Sequence, residues 1–178
     1  MWHVAEVVLD CPSVTTLGTR EGASVIVLEA GGEWRRSGEQ RLLRRSVWAA
    51  ALHPGRDSLA LATSTGGVLV GLDATWQRDL CRSSSAVLAV EAHPQGSLVM
   101  LGFRNGAIST VDLRLPMPPP QQGVSPPVSL YCSHAPVMRI PSSVCSLRLL
   151  SDDKYLLAAA LNGAVSTAGL LLLPLSRI

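Results

Sequence analysis

The chain has 178 residues, 47% of them hydrophobic and 16% charged, with a formal net charge of +2. That much apolar material excludes wholesale disorder, and so small a net charge gives no argument for nucleic acid. The four cysteines (Cys11, Cys81, Cys132 and Cys145) form no Cys-x-x-Cys pair and no zinc spacing, so reduced thiols in a cytoplasmic or nuclear protein are the simplest reading. The first residues carry neither a basic stretch nor an apolar run long enough for a signal peptide.

Residues 14–29 form the first strand-rich unit: Val14-Thr-Thr-Leu-Gly18, a polar turn at Thr19-Arg-Glu-Gly22, then Ser24-Val-Ile-Val-Leu-Glu29. Residues 30–38 read as a glycine-containing loop. Arg35, Arg36, Arg41, Arg44 and Arg45 cluster here, with Trp34 and Trp48 nearby. Arginine beside aromatics suits single-stranded nucleic acid. Glu33 and Glu39 interrupt the cluster, so a solvated segment is the simpler reading and no nucleic-acid partner is expected.

The second unit, residues 47–75, begins with the apolar strand Val47-Trp-Ala-Ala-Ala-Leu-His-Pro54, which stops at proline. Ser58-Leu-Ala-Leu-Ala-Thr-Ser-Thr-Gly-Gly-Val-Leu-Val-Gly-Leu-Asp73 then reads as strand, hairpin turn at Gly66-Gly67, strand and acid. The third unit, residues 87–114, repeats this with Val87-Leu-Ala-Val-Glu-Ala-His-Pro94 and Ser97-Leu-Val-Met-Leu-Gly-Phe-Arg-Asn-Gly-Ala-Ile-Ser-Thr-Val-Asp112. Residues 115–127 hold six prolines, which remove ladder donors, so they form an extended inter-blade loop. The loop is a spacer or a dock for a proline-reading domain, the spacer being the simpler reading.

The fourth unit, residues 144–171, carries the third copy, Lys154-Tyr-Leu-Leu-Ala-Ala-Ala-Leu-Asn-Gly-Ala-Val-Ser-Thr-Ala-Gly169. Residues 155–176 are uncharged, a length at which a membrane span must be considered. Yet Asn162-Gly-Ala-Val-Ser-Thr-Ala-Gly-Leu170 shares Asn, Gly, Ala, Ser, Thr and Leu in place with Asn105-Gly-Ala-Ile-Ser-Thr-Val-Asp-Leu113. A repeat of a strand pair is not a membrane helix, so two buried strands and no membrane partner are expected.

The turn glycines Gly67 and Gly106 stand ~40 residues apart, and the proline-rich insert stretches the step to Gly163. Several short strands per unit at that period predict an all-β fold: three to four blades of a WD-repeat β-propeller. A closed ring needs more blades. The chain therefore reads as part of a larger propeller: a fragment, a variant with a replaced C-terminus, or a chain that closes by pairing with another. An open blade edge predicts marginal stability, aggregation and self-association.

Ile108-Ser-Thr-Val-Asp-Leu-Arg114 follows the extended WD motif Trp-Asp-x-Arg with Val111 in place of tryptophan. Its arginine would reach a propeller rim, where a guanidinium can make bidentate hydrogen bonds to a partner. This segment and Ser143-Val-Cys-Ser-Leu-Arg-Leu-Leu-Ser-Asp-Asp-Lys-Tyr-Leu156 resemble the WD-repeat substrate receptors of cullin-4 RING ubiquitin ligases, in particular the family of the fourth DDB- and cullin-4-associated factor. The likeness covers about residues 47–163. It implies a non-enzymatic receptor whose Asp112, Leu113 and Arg114 contact the adaptor subunit of the ligase while other loops hold an unknown client. Two departures stand out: Leu72-Asp-Ala-Thr75 has threonine where arginine belongs, and Ala168-Gly-Leu-Leu171 lacks both acid and arginine. A generic WD-repeat scaffold and an inactive truncated isoform are the alternatives.

His53 and His93 precede proline in matching turns, which argues for a turn role and against a catalytic or metal pair. No Walker loop, dinucleotide fingerprint, nucleophile elbow or paired-carboxylate site is present. No enzyme, cofactor or metal is expected.

Overall fold

The computed structural model describes residues 3–7, 14–18, 22–28, 34–41, 45–53, 58–71, 76–114, 137–150 and 154–169, the first four segments as strands. These residues form four antiparallel sheets and no helix. The first contains β1 (His3–Val7), β2 (Val14–Gly18), β3 (Gly22–Leu28) and β4 (Trp34–Arg41). The second contains β5 (Val47–His53), β6 (Ser58–Thr63), β7 (Gly66–Gly71) and β8 (Gln77–Arg82). The third runs β9 (Val87–Ala92), β10 (Leu98–Phe103), β11 (Ala107–Asp112) and β12 (Met138–Arg139). The fourth has three strands, β13 (Val144–Leu149), β14 (Tyr155–Ala160) and β15 (Val165–Gly169).

Burial along the strands records how each sheet is covered. Side chains alternate faces along a strand. Both faces of β6 are buried: Leu59 and Leu61 join a cluster with Val47, Val68 and Val70, while Ala60 and Ala62 pack with Val99, Leu101 and Phe103 of the third sheet. Strand β5 in turn contacts β1 and β2 of the first sheet. Met100 and Ile108 of the third sheet pack with Val144, Leu147, Leu156 and Ala158 of the fourth. The sheets therefore stack in chain order, and continuous apolar runs such as Ser58–Thr63 are what two-sided burial requires.

The repeat extends to individual hydrogen bonds. Ser64 donates its N–H to the Ser46 carbonyl at 2.9 Å, Arg104 to Ala86 at 2.8 Å and Leu161 to Ser143 at 2.9 Å. The first strand of the second, third and fourth sheets carries the same irregularity, which skips Trp48, Leu88 and Cys145 in the pairing with the next strand.

Several boundaries differ from the sequence reading. Part of residues 30–38, read as loop, lies in β4, so the arginines Arg35, Arg36 and Arg41 stand on a strand of the first sheet. That sheet also includes β1, ahead of residues 14–29. Strand β8 lies beyond residues 47–75, and β12 returns to the third sheet from the far side of the proline-rich segment. Gly67 sits inside β7; the turn of that hairpin is Ser64-Thr65, and Gly66 carries the positive φ of 142°. Strands β14 and β15 occupy 155–169 as expected, but they are not both buried: Val165 is 62% exposed, and β14 buries alternate residues. One face of the fourth sheet and the β15 edge are open among the described residues. The proline-rich segment 115–127, residues 72–75 and residues 170–178 lie outside the described residues.

Candidate protein-interaction site

Asp112 ends β11, paired across from Leu98 of β10. The next residue turns the chain: the Leu113 N–H donates to the Ser97 carbonyl at 2.8 Å, and the Leu113 side chain inserts into the core between the second and third sheets. Leu113 is 5% exposed, so it anchors the corner and does not present itself to a partner. Arg114 follows on the surface. Its backbone N–H donates to Asp112 Oδ1 at 2.9 Å, and its Nε donates to Oδ1 at 2.8 Å and Oδ2 at 3.1 Å. Nη2 also donates to Oδ2. One carboxylate thus holds both the backbone and the side chain of the arginine. The hydrogen bond from Arg114 keeps the Asp112 carboxyl below the ordinary carboxylate range, and Asp112 raises the guanidinium in return. The Arg114 side chain keeps 35% of its surface exposed.

His93 lies across from Leu98, the residue opposite Asp112. His93 is fully buried; its N–H donates to the Leu98 carbonyl at 2.9 Å, and its carbonyl accepts from Gly96 at 2.7 Å. The ring's Nδ1 accepts the Gln95 N–H at 3.2 Å, so the histidine braces the β9–β10 turn. His53 is buried at the end of β5. Among the described residues no three His, Cys, Asp or Glu side chains converge as a metal site.

Arg45, read as part of a solvated basic cluster, is committed elsewhere. Its Nη1 and Nη2 donate to the Asp79 carboxylate on β8, and Arg82 Nε donates to Asp79 Oδ2 at 2.8 Å. Burial pushes the Asp79 carboxyl up, but the hydrogen bonds from the two arginines outweigh it and leave it below its ordinary range. This tie between β8 and the entry to β5 was not legible: Gln77-Arg-Asp-Leu-Cys-Arg82 has no alternating pattern, and charge attraction over 34 residues leaves no local signal. The described backbone holds no helix, so none long and apolar enough to cross a membrane.

No family model matches the sequence, and no curated protein is significantly similar to it. A solved structure is similar in fold: the β-propeller domain of Cps50 (Swd1) from Myceliophteria thermophila, at a TM-score of 0.66 and 18% identity. The match covers 93% of this chain and 51% of that one, so the chain spans about half the length of that propeller domain. Its described sheets have the fold of consecutive β-propeller blades.

Proposed function

We propose that this chain is a non-enzymatic interaction protein, and more narrowly that it serves as a substrate receptor of a cullin-4 RING ubiquitin ligase. Asp112 and Arg114 would meet the adaptor subunit while other loops present a client. The observation that supports this is the corner itself: a buried leucine fixes the turn, and one carboxylate orients the guanidinium that follows it. An arginine with its rotamers already restrained loses less freedom on binding. The reading depends on this one corner, because β15 ends at Gly169 where β11 ends at Asp112.

Capture of the purified adaptor by the full chain tests the proposal. Wild type should retain the adaptor, and Arg114→Ala should weaken capture by about tenfold or more, the effect of losing a charge-assisted anchor. Equal capture by both forms removes the role of Arg114, and capture by neither ends the receptor reading.

A further inference from the structure

At the opposite end of β11, roughly 20 Å from Asp112 for a strand of this length, lies an open groove of about 650 Å³. Arg104 and Asn105 of the β10–β11 turn line it on one side, and Arg139, Ser142 and Ser143 on the other. Among the described residues no carboxylate lines it. The acids described between residues 45 and 169 are Asp79, Glu91 and Asp112. Asp79 is held by Arg45 and Arg82, Glu91 faces Arg148, and Asp112 holds Arg114. Arg104 and Arg139 are exposed and have no carboxylate partner among the described residues.

The rim is held in place before any ligand arrives. Arg104 donates its N–H to the Ala86 carbonyl at 2.8 Å, and its own carbonyl accepts the Ser143 hydroxyl at 2.7 Å. Asn105 takes its backbone N–H to Ser85 Oγ at 3.2 Å, while its Oδ1 accepts the Ala107 N–H at 3.1 Å. That leaves the Asn105 Nδ2 group as a donor beside two guanidinium groups. Ile140 closes the floor by donating to the Gly106 carbonyl at 2.9 Å.

We propose that this groove between Arg104 and Arg139 binds an anionic side chain, a phosphate or a carboxylate, on an acidic segment of a protein partner. Fixed donors and unneutralised guanidinium groups are what oxyanion recognition requires. The groove is open, and polar or charged residues line it together with Ile140 and Pro141, unlike the enclosed apolar clefts that hold small molecules. Among the described residues no aromatic side chain lines it to stack on the bases of a single-stranded nucleic acid. The proposal stands apart from the cullin-4 reading, since it uses the other end of the strands and no adaptor contact.

Fluorescence anisotropy on the full chain tests it, with short labelled Gly/Ala peptides that differ at one central residue: phosphoserine, glutamate or serine. The phosphoserine or the glutamate peptide should bind better than the serine peptide, and whichever is tighter identifies phosphate or carboxylate as the preferred group. Affinity should fall with added salt. Arg104→Gln with Arg139→Gln should weaken anionic-peptide binding by about tenfold or more, while Arg114→Ala leaves it unchanged and circular dichroism shows both variants folded. Equal binding of the serine peptide, undiminished binding by the folded double variant, or no binding of either anionic peptide would overturn the proposal. So would tighter binding of oligouridine that the double variant loses.

Discussion

Asp112 and Arg114 show how a side chain can be well placed without adding much stability. The pair is partly solvated, with side-chain exposures of 22% and 35%, and such surface ion pairs add little to stability. Its consequence is orientation. Two other carboxylates behave oppositely to each other. Burial raises Glu91 above the ordinary glutamate range, although the Leu149 N–H at 3.4 Å and Arg148 pull it down. A raised acid favours its neutral form in the fold, so its contribution is complete below the ordinary value and is lost as pH rises through the raised one. Glu91→Gln should therefore raise Tm at pH 7, and the gain should vanish on acidification below the ordinary carboxylate range. Asp79 lies below its ordinary range, so its contribution is present above that range and disappears as pH falls through the lowered value. Asp79→Asn should lower Tm at pH 7 by about 2–4 °C, for ~1 kcal/mol in a domain of this size, and the deficit should shrink in acid. Melts of both variants at two pH values check the signs, and parallel shifts would contradict them.

Strand pairs illustrate what an extra strand does to a turn. Gly106 and Gly163 occupy the same hairpin position with φ of 82° and 83°. A Cβ on Gly106 would lie 1.9 Å from the Ile140 carbonyl oxygen, because the segment after β12 closes over that turn; a Cβ on Gly163 meets nothing within 4 Å. Gly163→Ala should cost about 1 kcal/mol, the backbone penalty alone. Gly106→Ala should cost distinctly more, and equal midpoints in urea would deny that the third sheet has this covering strand. The inner strands were legible because two-sided burial writes itself as an apolar run between turn residues, as in Ser58–Thr63 and Leu98–Phe103. The outer strands were not. β8 buries little beyond Leu80 and Cys81, and β12 is two residues reached across a long insertion, so neither carries a period. The Asp112–Arg114 motif could be read from its spacing, but the burial of Leu113 and the Arg104–Arg139 groove depend on how distant segments meet.

At the scale of the whole molecule, stability comes from sheets stacking on one another. The clusters on either side of the third sheet join it to the second and the fourth. The second sheet is covered on both faces, whereas the fourth leaves Tyr155, Leu161 and Val165 exposed and β15 without an outer neighbour among the described residues. Protection should therefore grade across the chain, highest at strands buried on both sides and lowest at the open edge. Residue-resolved hydrogen exchange of the full chain at low concentration measures this directly. Paired amides of β6 and β10 should exchange slowest and those of β15 much faster. Slow exchange in a helical pattern across Ser58–Thr63 or Leu98–Phe103, or equal protection of β6 and β15, would contradict a row of stacked blades with an open end.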